Sequence, residues 1–164
     1  MDIQDWGAIG DLIGGVAIII SLIYVGVQIR QSTAASRAAT YQSFSQQYTN
    51  HMVPLQNVDF RDVFIRGLAD ADELDAGEKV AFFSYLNGVF RMFEAFYLQE
   101  QEGSFDSTMY ESWTAQLVDL LGNSGTRQYW IVRRHTFHQK FANHIDQLQA
   151  NNKARPMYGT NSET

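Results

Sequence analysis

The chain of 164 residues has no cysteine, which excludes a disulfide framework, a thiolate zinc site and a cysteine nucleophile, and leaves the redox compartment open. Proline is nearly as scarce, with Pro54 and Pro156 alone. Together with 45% hydrophobic and 13% aromatic residues, this favours a packed, helix-rich fold over disorder. Basic charge is also in short supply: 12 Lys and Arg against 18 Asp and Glu give a net charge of -6 and a pI near 5.1. An acidic chain lacks the electrostatic footprint for phosphate backbones, so nucleic acid is not an expected partner. Strand alternation and internal repeats are missing too. So are Gly-x-x-x-x-Gly-Lys, Gly-x-Ser-x-Gly and Gly-x-Gly-x-x-Gly. Neither His-Glu-x-x-His nor the Glu-x-x-His of di-iron bundles occurs. No catalytic or cofactor signature remains, and the expectation is a protein that is not an enzyme and carries no cofactor or metal.

What the chain does have is a long apolar run, Ile9 to Ile29, followed directly by Arg30. No residue from Leu12 to Ile29 is charged. As a helix rising about 1.5 Å per residue, that segment spans roughly 27 Å, close to the hydrocarbon thickness of a bilayer. Asp11 falls near the interface, where a carboxylate reaches water cheaply. Trp6 and, somewhat deeper, Tyr24 fit interfacial aromatics. The run is longer than a domain of this size usually buries along one helix, so a transmembrane helix is expected rather than a core helix. The N-terminal flank carries Asp2, Asp5 and Asp11 and no Lys or Arg, unlike the basic flank of a cleaved signal peptide. Arg30 and Arg37 lie on the other flank. Basic residues mark the cytoplasmic side, which places the N-terminus outside and the remainder of the chain in the cytoplasm.

A second pattern runs through the same stretch. Alternate steps of three and four from Gly7 pass through Gly10, Gly14, Ala17, Ser21, Tyr24, Gln28 and Gln31, then Ala35, Ala38, Gln42 and Ser45. None is Leu, Ile or Val. A 3.5-residue repeat is the signature of a left-handed helix seam. In lipid, small residues mark faces where backbones approach closely, and Gly10-x-x-x-Gly14 lies on this one. Without a second span in the chain for these residues to pack on, self-association or a partner's span is expected. For the Gln- and Ala-containing half three readings stay open: a solvated stalk, an oligomer seam, or a face covered by the domain.

Three regions follow from these patterns: a transmembrane helix and polar stalk over 1–50, a helical domain over 51–150 and a flexible tail over 151–164. Pro54 ends the stalk. Asp59 to Leu68 reads as a short amphipathic helix capped by Asn57 or Asp59. Asp75, with Glu78 three residues on, caps a long helix from Ala76 to about Glu102, and Gly103 is its C-cap. Its apolar spacing predicts a core of Val80, Phe83, Leu86, Val89 or Phe90, Phe93, and Phe96 or Tyr97. A helix over Ser107 to Leu121 turns Trp113, Leu117 and Leu120 inward. Gly122 to Gly125 breaks the chain. A last helical region over Thr126 to Leu148, with an expected break near Thr136, carries Tyr129, Trp130, Val132, Phe137, Phe141 and Ile145. The fold class is all-α, an N-terminal transmembrane helix extended as a stalk and followed by a bundle of three to four further helices.

Polar candidates are few. Arg91 and Glu94 sit at i,i+3 on the most aromatic helix, as a pair that fixes packing register or, alternatively, lines a polar ligand site. His135 and His138 share a face, but no carboxylate stands at ligand spacing beside them. Seven acids between Asp59 and Glu78 face the basic Arg127, Arg133, Arg134 and Lys140. These are either two solvated faces or complementary patches between helices or subunits.

Gln28-Ile29-Arg30-Gln31 at the end of the apolar run, Arg91-x-x-Glu94-x-x-Tyr97 with Gly103, Trp113, and Gly125 with Trp130 resemble a family of small uncharacterised bacterial membrane proteins with one N-terminal transmembrane helix and a cytoplasmic helical domain. The resemblance covers most of the chain. It implies a single-pass bacterial inner-membrane location and supplies no active-site residues. The expected function is a bitopic membrane protein that self-associates through its span and presents a helical interaction domain to a protein partner. A homo-oligomeric channel lined by the stripe is the alternative, and a ligand sensor or enzyme with a pocket at Arg91 and Glu94 is a third.

Overall fold

A computed structural model of the protein describes residues 3–103 and 107–151, with side chains described from residue 14 on. Of the expected tail over 151–164, Asn151 is the last residue of the final helix, and 152–164 lie outside the described residues. Among those described, the chain is entirely helical and holds no strand. Six α-helices follow one another: α1 Ile3–Met52, α2 Val58–Ala69, α3 Ala76–Gln101, α4 Ser107–Leu121, α5 Ser124–Arg133 and α6 Gln139–Asn151. Short 3₁₀ turns join several of them. Five helices therefore follow the first, where the sequence suggests three to four. The chain divides into two compact units, residues 1–39 and 40–164.

The first unit is the larger part of α1. Every described residue from Gly14 to Ala39 is exposed. Nothing lies within 4 Å of where a Cβ would stand on Gly14, Gly15 or Gly26. Among the described residues, α1 is the one helix long and apolar enough to cross a membrane.

In the second unit, local chemistry explains most helix ends. Proline at 54 falls in the turn Val53–Gln56 that follows α1. Asn57 Oδ1 accepts from the Phe60 amide at 3.0 Å and caps α2, so of the two expected caps it is Asn57 that acts. Asp75 and Glu78 form a reciprocal capping box at the start of α3, each side chain accepting from the other's amide at 2.8 and 3.1 Å. Past the end of α3, Gly103 adopts φ +70°, a left-handed conformation that glycine enters without strain. Asn123 Nδ2 donates to the carbonyls of Asp119 and Leu120, satisfying acceptors at the end of α4.

Helix α3 is the centre of the unit. Phe82, Leu86, Phe90, Phe93 and Phe96 are at most 2% exposed. The expected spacing holds, but its phase shifts in the first turns: Phe82 and Tyr85 are buried, and Val80 is 67% exposed. Two rings bury more apolar area than one valine, so they turn α3 toward α2, where Phe64 meets Phe82 and Tyr85. Val132 on α5 is likewise exposed rather than core. The end of α1 belongs to this unit. Phe44 is buried, stacked on Phe96 at 4.2 Å and edge-on to Trp113 at 4.9 Å. Tyr48 Oη donates to Gln116 Oε1, and the His51 ring stacks on Tyr85 with Nε2 2.9 Å from the Tyr85 carbonyl.

Of the expected Gly122–Gly125 break, only Gly122 and Asn123 leave the helix; Gly125 opens α5. Its role is proximity. A Cβ there would overlap the carbonyl of Gly67 on α2, and a Cβ on Gly67 would come within 2.8 Å of the Phe82 ring. The two helices touch backbone to backbone. Gly125→Ala is therefore expected to destabilise the bundle by about 3 kcal/mol, because backbone must move. Gly77→Ala, whose new methyl meets Asp75 Oδ1 at an ordinary 3.4 Å, should be neutral or slightly stabilising. Denaturant unfolding followed by near-UV circular dichroism compares the two; equal stabilities would refute the close crossing.

Candidate functional site

The candidate surfaces divide into the exposed face of α1, the polar groups of the bundle, and a groove between α3 and α5. On α1, the stripe residues Gly7 and Gly10 lie within the helix, in the part where side-chain surroundings are not described. Gly14, Ala17, Ser21, Tyr24, Gln28 and Gln31 are all exposed, as are Ala35, Ala38 and Gln42. Ser21 Oγ donates to the Ala17 carbonyl at 2.8 Å. That hydroxyl is satisfied within its own helix, a common arrangement for Ser and Thr four residues on.

Arg91 and Glu94 form the expected pair, with Nη1 2.7 Å from Oε2. The Arg91 side chain is 43% exposed and that of Glu94 12%. Each has a second task that the sequence did not suggest. Arg91 Nη2 donates to the Thr136 carbonyl at 2.9 Å, and its guanidinium lies 4.3 Å over the Phe137 ring. Glu94 Oε1 accepts from the His138 amide at 2.6 Å. That amide stands at the start of α6, whose N-terminus is thus capped by a carboxylate from α3. The pair clamps the turn between α5 and α6. Its hydrogen-bonding groups are taken up by that work, and neither residue lines the groove described below.

The histidines are similarly absorbed. His135 lies in the 3₁₀ turn Arg134–Thr136 and His138 just beyond it, so they do not share a helical face. Among the described residues no cluster of three His, Cys, Asp or Glu side chains suits a metal ion. His51 packs its ring where a Cβ on Gly88 would collide. His144 stacks on Tyr97 at 4.8 Å, and its Nε2 lies 2.8 Å from Tyr110 Oη. Burial pushes the Tyr110 hydroxyl up to about 12, so it stays protonated beside the imidazole. Burial also lowers the His144 pKa below 6.5, with Glu100 opposing.

Charge within the second unit is mostly settled locally. Arg66 pairs with Glu78, Lys79 with Asp72 at 2.6 Å, and Arg134 with Asp146. Arg127 donates to the Leu121 and Gly122 carbonyls at the end of α4. Among the described residues no ion pair joins the acids of 59–78 to Arg127, Arg133, Arg134 or Lys140. The two charged sets do not neutralise each other within one chain.

A groove of about 540 Å³ lies between α3 and α5. Its floor is one face of α3, with Ala76, Val80, Phe83 and Asn87; Val132 and Arg133 of α5 form the opposite wall. A second void, beside Tyr48, Met52 and Gln116, holds about 10 Å³, room for one water at most. Sequence reasoning missed the groove because it is assembled from two helices whose exposed valines were assigned to the core.

No family model, curated protein or solved structure matches the chain. The arrangement as it stands can clamp helices and offer surfaces.

The His144 contact sets a pH dependence. Above pH 6.5 residue 144 is neutral in both folded and unfolded chains, and its contribution to stability is fully present. As pH falls through 6.5, the unfolded chain takes up a proton that the folded chain refuses, so stability is lost until the lower folded pKa is reached. The melting temperature should therefore drop between pH 7.5 and 5.5, and drop less in His144→Gln. Identical pH slopes for the two proteins would refute this.

Proposed function

We propose that the protein is a single-pass membrane protein whose α1 anchors it in a lipid bilayer, brings copies together, and carries a helical interaction domain that is not an enzyme. The observation that carries this reading is the exposed apolar surface of α1. Nine aliphatic side chains between Val16 and Ile29 are 48–66% exposed. At about 2 kcal/mol for each side chain left in water, that surface needs lipid or protein around it. Aliphatic groups surround the helix except along the small-residue stripe, and lipid suits them. The stripe, open at Gly14 and Ala17, suits a second α1 at close approach.

The flanking charges favour an outside N-terminus and a cytoplasmic domain, with a bacterial inner membrane the location that the family resemblance implies. The channel reading is weaker, because the one proton of the Ser21 hydroxyl is already donated to its own backbone. A sensor or enzyme centred on Arg91 and Glu94 is weaker too, since that pair is occupied in holding α6. What the second unit offers instead is surface, so a protein partner is the favoured ligand class.

Membrane fractionation with reporters fused at either end tests location and orientation; the protein should resist carbonate extraction with its C-terminus cytoplasmic. Recovery in the soluble fraction would refute the anchor. Cross-linking in native membranes tests association: copies should link through α1, and Gly14→Leu should lower the linked fraction about tenfold, equivalent to about 1.4 kcal/mol. An unchanged fraction would refute the stripe as the seam.

A further inference from the structure

The groove between α3 and α5 and the outer face of α2 match each other in spacing and in charge. The groove floor uses Ala76, Val80, Phe83 and Asn87, positions i, i+4, i+7 and i+11, about 16 Å of helix. The outer face of α2 offers the same interval with Val58, Asp62, Ile65 and Ala69, all exposed. Val58 and Ile65 are 56% and 51% exposed, and Val80 and Val132 in the groove 67% and 55%. Ile131, beside the groove wall, is the most exposed of the large hydrophobic residues at 78%. No carboxylate lines the groove. Lys79 at its edge is held by Asp72, so Arg133 carries its positive charge. Asp59 and Asp62 flank the α2 face and take part in no ion pair that the structure shows.

One chain cannot join these two surfaces. Helix α2 is fixed by its opposite side: Phe64, Gly67 and Leu68 are buried, and Gly67 touches Gly125. Its outer stripe therefore cannot turn into the groove of its own chain.

We infer that the groove receives α2 from a second copy of this chain, Val58 and Ile65 entering against Val80 and Val132 while Asp62 approaches Arg133. The mode is helix-in-groove recognition, with apolar anchors supplying contact and charge setting orientation. The contact is heterologous unless the two copies exchange it reciprocally, so it can extend an assembly beyond a pair. Three helical turns bury less than a free-standing dimer needs. The inference therefore rests on the proposed anchoring, which holds copies in one bilayer and makes a weak contact effectively intramolecular.

The absence of native cysteine makes the test direct. Full-length Ile65→Cys and Val132→Cys chains with different tags are co-expressed, and native membranes are treated with a mild oxidant. Chains bearing Ser21→Cys are assayed in parallel for the α1 seam. The expected result is a disulfide between the two tags. It should fall at least tenfold when Arg133→Glu is added to the Val132→Cys chain, and return when Asp62→Lys is added to the Ile65→Cys chain. A Ser21 link without the 65–132 link, or a 65–132 link indifferent to charge reversal, overturns the inference and leaves the anchor reading standing. A 65–132 link without a Ser21 link supports the inference and removes α1 as the seam. Loss of both overturns both.

Discussion

A helix that buries rings on several sides has to be surrounded, and α3 imposes that demand on everything after residue 40. Its buried aromatic residues recur along nearly its whole length, from Phe82 to Phe96. No single neighbour covers them. Helix α2 and α5 close over the first half, with Phe64 on Phe82 and Tyr129 and Trp130 on Phe90. The end of α1 and α4 close over the second half through Phe44, Tyr48 and Trp113. Helix α6 fills the remaining side with Phe141 against Tyr97 and Trp130. The short helices and tight turns of the unit follow from fitting several covers around one long element.

Features written in neighbouring residues were legible in the sequence. The capping box of Asp75 and Glu78, the Asn57 cap, the reversal at Gly103 and the limits of α4 each depend on side chains within a few positions of the backbone they serve. Features that depend on distant partners were not. The break between α5 and α6 was expected near Thr136 and is found there, but not what holds it: Phe137 packs into the core beside Trp130, and Glu94 receives the His138 amide. The first turns of α3 took a different phase because Phe64, remote in sequence, gave Phe82 and Tyr85 a place to go. Gly125 looked like a loop breaker and is a contact point, which only the approach of Gly67 reveals.

The candidate sites show the same division. Arg91 and Glu94 were recognisable as a pair from their spacing, but their spacing carried no information about Thr136, Phe137 or His138. Once those contacts are known, the pair becomes part of the architecture. The four histidines follow suit, each in a place that packing or a turn accounts for better than coordination. Among the chain's exposed apolar features are the aliphatic surface of α1 and the valine-lined groove.

The carboxylate of Glu94 also ties the order of one helix to that of another. Helix α6 has thirteen residues, a length at which an isolated helix in water is marginal. An acceptor at its N-terminus is carried by α3, far away in the chain. The last helix is therefore shaped by its neighbour as much as by its own residues, and a change at residue 94 would be felt across the turn that leads into α6.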